Sequence, residues 1–396
     1  MQAYLRNREF RCLSIGSAWH AASFQGEQVL VGVLAYQLTG STQWVGIAYA
    51  LAFLPMLLIG IPAGATADRL DRRRLLPRLE LVQIIIMAVM AALYAYGFGS
   101  LPLVLVFTFV SGCVRAMVHP VRLSYAHDVI GASQLVGALG FLSVTSRIGQ
   151  LIGALAAGFL FEYRGAVAAL IALVLFHAVA FVLLSKLQTG GQPKEIIGVP
   201  FKETCIEYLR ELRHNPVLWR LTVLASIVEV FGFSFATALP ELAAERLRVG
   251  SDGLGLLHGA RSIGGMLAAL ALTYCGALNA KSMVYTGVIV GFGVSLLVLA
   301  AVPSLALALI AVALVAACAA SCDVLVQSMM QLCVADKLRG RAMGAWVLAL
   351  GAGPVGHVEV GLLAGFAGAG AALATNAVVL LLTGALAYAV VRERPL

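Results

Sequence analysis

The chain has 396 residues, of which 61% are hydrophobic and 12% are charged, and its mean hydropathy is +0.94. Soluble domains are about half apolar and a quarter charged, so this composition cannot cover a water-exposed surface. The formal net charge of +8 would suit a nucleic-acid-binding protein, but in a membrane protein the distribution of Lys and Arg matters more than their sum. We therefore expect an all-α integral membrane protein that does not bind nucleic acid.

Apolar runs long enough to cross the lipid bilayer recur along the whole chain, since about twenty residues span its hydrocarbon layer as a helix. The sequence predicts twelve such spans, at residues 11–37, 44–66, 77–97, 102–125, 133–160, 166–187, 217–241, 253–275, 282–301, 304–329, 342–365 and 370–391.

The connection 188–216 is longer than the others and separates six predicted spans from six. It predicts an N-terminal half, 1–187, a cytoplasmic linker with an amphipathic helix, and a C-terminal half, 217–396; a disordered linker is the alternative. A weak internal repeat, in which a shift of 208 residues places Asn7 on Asn215, predicts that the two halves are pseudo-symmetric.

Basic residues are concentrated in the loops on one side of these spans. If both termini are cytoplasmic, only Arg164, Arg246 and Arg248 fall outside. Because basic loops stay in the cytoplasm, we expect both termini there.

Two loops resemble motifs of the major facilitator superfamily. Residues 64–76 read GATADRLDRRRLL, with Thr66 in place of the usual Leu and Asp71 in place of a Gly, and residues 336–344 read DKLRGRAMG. The resemblance implies the major facilitator fold, with twelve helices in two six-helix halves and a cytoplasmic gate. The implied gate residues are Gly64, Asp68, Arg69, Arg72, Arg73, Arg339 and Arg341.

Within that superfamily, the runs NREFR at 7–11 and QLTGS at 37–41 resemble the enterobactin-exporter-like group, whose members export siderophores or drugs. This implies a monomeric protein of the bacterial inner membrane that moves a small molecule. The antiporter pattern G-P-x-x-G reads GQLIG at 149–153, which weakens the case for export. We interpret Gly149, Gly153 and Gly158 as positions where helices pack closely.

Ionisable residues inside a membrane are costly, so they usually face a cavity or pair with one another. The candidates for proton coupling are Glu27, Glu229, Asp323 and Glu359. The candidates for the substrate cavity are His20, Ser23, Arg115, His119, Arg147, Gln150, Arg261 and Gln327.

We interpret Arg115 and Arg147 as groups that engage an anionic or zwitterionic substrate, while Glu27 or Glu229 takes up and releases a proton. The alternative is a network of arginines and acids that only holds helices together.

The sequence therefore favours a secondary transporter that exports a small organic molecule in exchange for protons. Broad multidrug efflux of lipophilic compounds and an importer or facilitator on the same fold remain open. A membrane-embedded transferase would need clustered catalytic residues, which the sequence does not show. No H-E-x-x-H pattern, paired C-x-x-C pattern or phosphate-binding G-x-x-x-x-G-K-[ST] loop occurs. We expect no enzyme, no metal site and no cofactor, with the proton gradient as the energy source.

Overall fold

The computed structural model describes residues 7–130, 135–188, 214–275, 281–334 and 339–393, and some side chains within these ranges lie outside the description. Nearly all of the predicted linker, 188–216, therefore lies outside the described residues. So do the side chains of several predicted site residues: Gly64, Asp68, Arg69, His119, Arg339 and Arg341.

The described chain is helical throughout its length. The long helices are α1 (Arg8–Thr39), α2 (Thr42–Arg69), α3 (Arg72–Ala95), α4 (Leu101–Ile130), α5 (Leu135–Leu184), α6 (Pro216–Phe231), α7 (Ser251–Cys275), α8 (Lys281–Ala301), α9 (Leu305–Leu332), α10 (Arg339–Leu350) and α11 (Gly353–Glu393). Between α6 and α7 the chain forms a 3₁₀ segment, Phe233–Ala238, a short α turn, Leu239–Glu241, and a π turn, Leu242–Arg246.

Nine stretches of the described residues are long and apolar enough to cross a membrane. Two of them, Gly137–Leu184 and Ala345–Tyr388, contain 48 and 44 residues, about twice the length that one crossing needs. Each is interrupted by a glycine with positive φ, Gly165 at 79° and Gly368 at 85°, which lies between two predicted spans. The predicted all-helical, multi-pass membrane protein is confirmed, whereas the count of twelve spans stays a prediction.

Asparagine side chains begin two helices that the internal repeat aligns. Asn7 Oδ1 accepts a hydrogen bond from the Phe10 amide at 3.2 Å, and Asn215 Oδ1 accepts one from the Leu218 amide at 3.0 Å. Each bond satisfies one amide that the first helical turn would leave without a partner. The two residues related by the shift of 208 therefore have the same structural role.

Contacts divide the chain into two compact units. The first unit contains the described parts of Met1–Gly40, Leu54–Ile197 and Val249–Ile263. One hydrophobic cluster of this unit is formed by α1, α3, α4 and α5. The core residues include Phe10, Leu13, Leu76, Val121, Ala126, Ala138, Leu142 and Leu184.

Helices α1 and α5 approach closely in the first unit. A Cβ atom at Gly149 would collide with the backbone of Ala18, and one at Gly153 would collide with the backbone of Ala22. The glycines thus permit a helix contact that any larger side chain would prevent, as the sequence predicts for them.

The second unit contains the described parts of Ser41–Phe53, Gly198–Arg248 and Gly264–Leu396. Small residues again mark its closest helix contacts. Gly356 of α11 lies against the backbone of Val230 in α6, and Gly293 of α8 lies against Ala377 and Leu381 of α11.

Candidate functional site

An ion pair in the first unit joins two of the predicted site residues. Arg115 Nη1 on α4 lies 3.3 Å from Glu27 Oε2 on α1. The Ser111 hydroxyl, one helical turn from Arg115, donates to the same carboxylate oxygen at 2.9 Å. The guanidinium of Arg115 also lies 4.5 Å from the centroid of the Phe24 ring, a cation–π contact. We call Glu27, Arg115, Ser111 and Phe24 the Glu27 cluster.

A third helix fixes the position of this cluster. The Gln83 side-chain amide on α3 donates to the Ser111 backbone carbonyl at 3.1 Å, and both residues are buried. This bond holds α3 against α4 at the level of Glu27. Sequence reasoning missed Gln83 because helical spacing predicts which residues share a face of one helix, not which helices meet.

Burial differs between the two charged members of the cluster. Glu27 is 2% exposed, whereas the Arg115 side chain is 15% exposed. Within the described part of the chain, Glu27 Oε2 has two polar partners, while Oε1 is buried without a hydrogen bond. A buried carboxylate needs such partners, because a charge removed from water is unfavourable unless it is paired. Another anion that reached Arg115 would compete directly with Glu27.

His20 lies on α1 with Glu27 but has different neighbours. His20 Nδ1 is 2.7 Å from Glu80 Oε1, and His177 Nδ1 is 2.6 Å from Glu80 Oε2. We call His20, Glu80 and His177 the histidine cluster. Glu80 and His177 are not among the predicted site residues, although both fall inside predicted spans. The expectation that an ionisable residue within a membrane is functional or paired would have selected them.

Two more polar side chains of α1 connect it to other parts of the first unit. The buried Ser23 hydroxyl donates to the Leu173 carbonyl at 3.2 Å, which is a packing contact with α5. The Gln25 amide lies 3.0 Å from His258 Nδ1, and both residues are buried. Sequence reasoning missed this second pair, whose members are 233 positions apart.

The remaining predicted residues of the first unit are half-buried. They are Arg147 and Gln150 on α5 and Arg261 on α7. Arg261 lies less than one helical turn from His258, and Arg147 lies two residues before Gly149, where α5 meets the backbone of Ala18 in α1.

The second unit brings two of the predicted acids to one narrow cleft. Glu229 of α6 and Asp323 of α9 both line it. Asp323 Oδ1 accepts a hydrogen bond from Trp346 Nε1 at 3.0 Å. Glu229 lies against Gly353, where a Cβ atom would be 3.0 Å from Glu229 Oε1.

The other predicted residues of the second unit lie elsewhere. Glu359 Oε2 accepts a hydrogen bond from Asn376 Nδ2 at 3.2 Å, which links the two segments of α11 on either side of Gly368. Gln327 is half-buried, one helical turn after Asp323 on α9.

The basic residues at the start of α3 form bonds within the first unit. Arg72 is buried, and its Nη1 lies 2.7 Å from Asp128 Oδ2 on α4. Arg73 Nη1 donates to the Gln188 carbonyl at 2.8 Å. Asp71, which replaces a glycine of the superfamily motif, accepts a hydrogen bond from the Arg73 amide at 3.1 Å. Asp71 therefore caps the start of α3.

Comparison with known proteins identifies the family. A family model described as a transmembrane secretion effector matches residues 2–394. The chain belongs to this family. Its resemblance to the major facilitator superfamily is thus confirmed, and its relatives are transporters and not enzymes.

Two relatives of this chain have names that state a function. The staphyloferrin A transporter of Staphylococcus aureus is 23% identical over 244 residues, which cover 60% of this chain and 60% of that protein. The multidrug efflux pump Tap of Mycolicibacterium fortuitum is 24% identical over 376 residues, which cover 92% of this chain and 91% of the pump. The match to the staphyloferrin A transporter thus spans less than two thirds of that protein.

Solved structures of transporters share the fold. A POT family transporter in complex with a thioalcohol-conjugated peptide superposes with a TM-score of 0.78 at 11% identity, covering 98% of this chain and 96% of that one. The human organic anion transporter MFSD10 gives 0.71 at 17% identity, covering 96% and 99%. These likenesses show the fold alone and carry no information on substrate.

Proposed function

We propose that this protein exports a small organic anion or zwitterion in exchange for protons, and that Glu27 and Arg115 couple the two movements. The observation that carries the proposal is the buried ion pair between these residues. A carboxylate-bearing siderophore is the substrate class that we favour, because the guanidinium of arginine matches a carboxylate in charge and geometry.

Mutual exclusion of proton and substrate at Glu27 supplies the coupling. A zwitterionic substrate pairs its carboxylate with Arg115 and its ammonium group with the ionised Glu27, in place of the ion pair between the two side chains. Protonation of Glu27 removes the charge that holds the ammonium group, so the proton expels the substrate. Release of the proton restores the ionised Glu27 for the next substrate molecule. For net export, binding and release must take place on opposite sides of the membrane, which requires that each ligand favours a different conformation.

The relatives support this direction and substrate class. One is named a staphyloferrin A transporter and the other a multidrug efflux pump. The proposal includes twelve spans in two six-helix halves, 1–187 and 217–396, joined by the linker 188–216. It also places a monomer in the bacterial inner membrane, with both termini in the cytoplasm and the proton gradient as the energy source, without a cofactor.

Export of lipophilic drugs is the second candidate. The match to the multidrug efflux pump covers nearly the whole chain, whereas the match to the siderophore transporter covers 60% of it. A drug exporter of this kind would not depend on a carboxylate in its substrate.

Transport in inside-out membrane vesicles distinguishes these candidates. We expect vesicles with the wild-type chain to accumulate a labelled carboxylate siderophore when their interior is made acidic, and an uncoupler to abolish this accumulation. Glu27→Gln should lose accumulation driven by the gradient but still exchange labelled for unlabelled substrate, because its side chain has no charge to titrate. Arg115→Gln should lose both activities. Glu245→Gln is the matched control, since this carboxylate is exposed.

Three results would contradict the proposal. Accumulation driven by the gradient in Glu27→Gln would exclude Glu27 as the coupling residue. Accumulation of a lipophilic dye in place of the siderophore would favour drug export. Accumulation only when the vesicle exterior is made acidic, so that proton and substrate enter together, would make the protein an importer.

A further inference from the structure

We infer that the histidine cluster, His20, Glu80 and His177, is a binding site for a divalent transition-metal ion of the zinc class. The three residues come from α1, α3 and the second segment of α5. Their donor atoms all lie within 4.8 Å of one another, and all three residues are buried. The inference does not depend on the proposed transport activity.

The contacts inside the cluster show an incompletely satisfied carboxylate. His20 Nδ1 and Glu80 Oε1 are 2.7 Å apart, yet within the described residues neither atom makes a hydrogen bond. Glu80 is 1% exposed and His20 is 7% exposed, so both side chains are held away from bulk solvent. His20 Nδ1 and Glu80 Oε1 are therefore placed so that both can donate a lone pair to one cation.

The donor set favours one class of metal ion. Two imidazoles and one carboxylate suit Zn²⁺ and its first-row neighbours, whereas Ca²⁺ and Mg²⁺ prefer oxygen ligands. Ligands of a tetrahedral Zn²⁺ with bonds of about 2.0–2.1 Å lie about 3.3 Å from one another. The separations of 2.7 Å and 2.6 Å in the cluster would therefore have to widen by about 0.6 Å, which small rotations of three side chains allow.

A positively charged side chain lies near the site. Arg122 of α4 interacts electrostatically with Glu80. A tetrahedral ion held by three protein ligands has a fourth position for water or a small anion. An anion there would offset the charge of Arg122.

The competing explanation is a purely hydrogen-bonded arrangement of the two histidines around Glu80. It accounts for the contact of His177 at 2.6 Å. It treats the 2.7 Å contact between His20 Nδ1 and Glu80 Oε1 as a second ion pair, although the geometry of this contact does not satisfy a hydrogen bond. A bound metal ion satisfies both atoms at once.

Metal content and thermal stability test the inference. The full chain is purified in detergent with a tag that contains no histidine, treated with a chelator, and then incubated with Zn²⁺ and freed of unbound metal. We expect one Zn²⁺ per chain, a higher Tm with Zn²⁺ than without it, and an intense tetrahedral visible spectrum when Co²⁺ is used instead. Glu80→Gln, His20→Gln and His177→Gln should each bind Zn²⁺ at least 100-fold more weakly.

His258→Gln is the matched control, because His258 is a fully buried histidine of the same unit outside the cluster. It should bind Zn²⁺ as the wild-type chain does. Stoichiometry and the Co²⁺ spectrum are measured on the wild-type chain, so the test holds even if a variant does not fold. A wild-type chain that retains no metal, or cluster variants that bind as tightly as His258→Gln, would overturn the inference.

Discussion

Glu27 and Arg115 depend on each other, because each is a charge held mostly away from water. Removing one partner of a buried pair leaves the other charge without compensation, which costs about 3–5 kcal/mol, whereas replacing both can be nearly neutral. We predict that Glu27→Gln and Arg115→Gln each lower the free energy of unfolding by amounts near this range. The double variant should lose clearly less than the sum of the two, as measured by denaturant titration in mixed micelles.

Arg164→Gln is the control for this cycle, since Arg164 is exposed and its loss should change stability by less than about 0.5 kcal/mol. Additive losses in the double variant would mean that the two side chains do not interact, and would remove the basis of the proposed coupling.

At the residue scale, helical spacing relates residues of one helix. Ser111 and Arg115 lie one turn apart on α4, and both contact Glu27. The partnership itself could not be predicted, because the residues are 88 positions apart. Glu80 and His177 were missed for the same reason. Asp71 looked like a departure from the superfamily motif, and only the structure shows that it caps α3.

At the scale of helices, the contact between α1 and α5 depends on residues without a side chain. We predict that Gly149→Ala and Gly153→Ala each destabilise the protein by about 1–3 kcal/mol, because the added methyl group forces the helices apart. Gly140 lies on the same helix, and a Cβ atom added there would meet open space. Gly140→Ala should therefore be neutral or stabilising by up to about 1 kcal/mol. Thermal unfolding in detergent measures all three.

Equal Tm values for Gly149→Ala and Gly140→Ala would show that α1 and α5 can separate at no cost.

The predicted spans and the observed helices together indicate which features of a helix the sequence predicts. Apolar runs predicted the helices, and the breaks between predicted spans fall at Gly165 and Gly368. The 3₁₀ and π turns after Phe231 were not predicted, since the apolar run from Phe233 to Leu239 continues the pattern of α6. Pro240 is the one signal of a break that the sequence offers in this segment.

At the scale of the whole molecule, each compact unit contains segments that are far apart in the sequence. Ser41–Phe53 belongs to the second unit and Val249–Ile263 belongs to the first. Glu162 of α5 shows one cause, because its Oε2 accepts a hydrogen bond from the Ser251 amide at 2.7 Å and so holds the start of α7 in the first unit. A sequence repeat predicts which segments are related, but it does not predict which unit each segment packs in.

Orientation in the membrane is a property of the whole chain that the basic residues predict. Arg164 and Lys186 are both exposed and lie at opposite ends of the second segment of α5. That segment, from residue 166 to Leu184, is about 28 Å long at 1.5 Å per residue, close to the thickness of the hydrocarbon layer. The two side chains should therefore lie on opposite sides of the membrane, with Lys186 in the cytoplasm by the positive-inside rule.

Single cysteines at these positions test the orientation, in a background from which the seven native cysteines have been removed. We predict that a membrane-impermeant maleimide labels Arg164→Cys in intact cells and labels Lys186→Cys only after the cells are permeabilised. The reverse pattern would mean that the orientation is opposite to the one that the basic residues predict. Labelling of both positions in intact cells would mean that this segment of α5 does not cross the membrane.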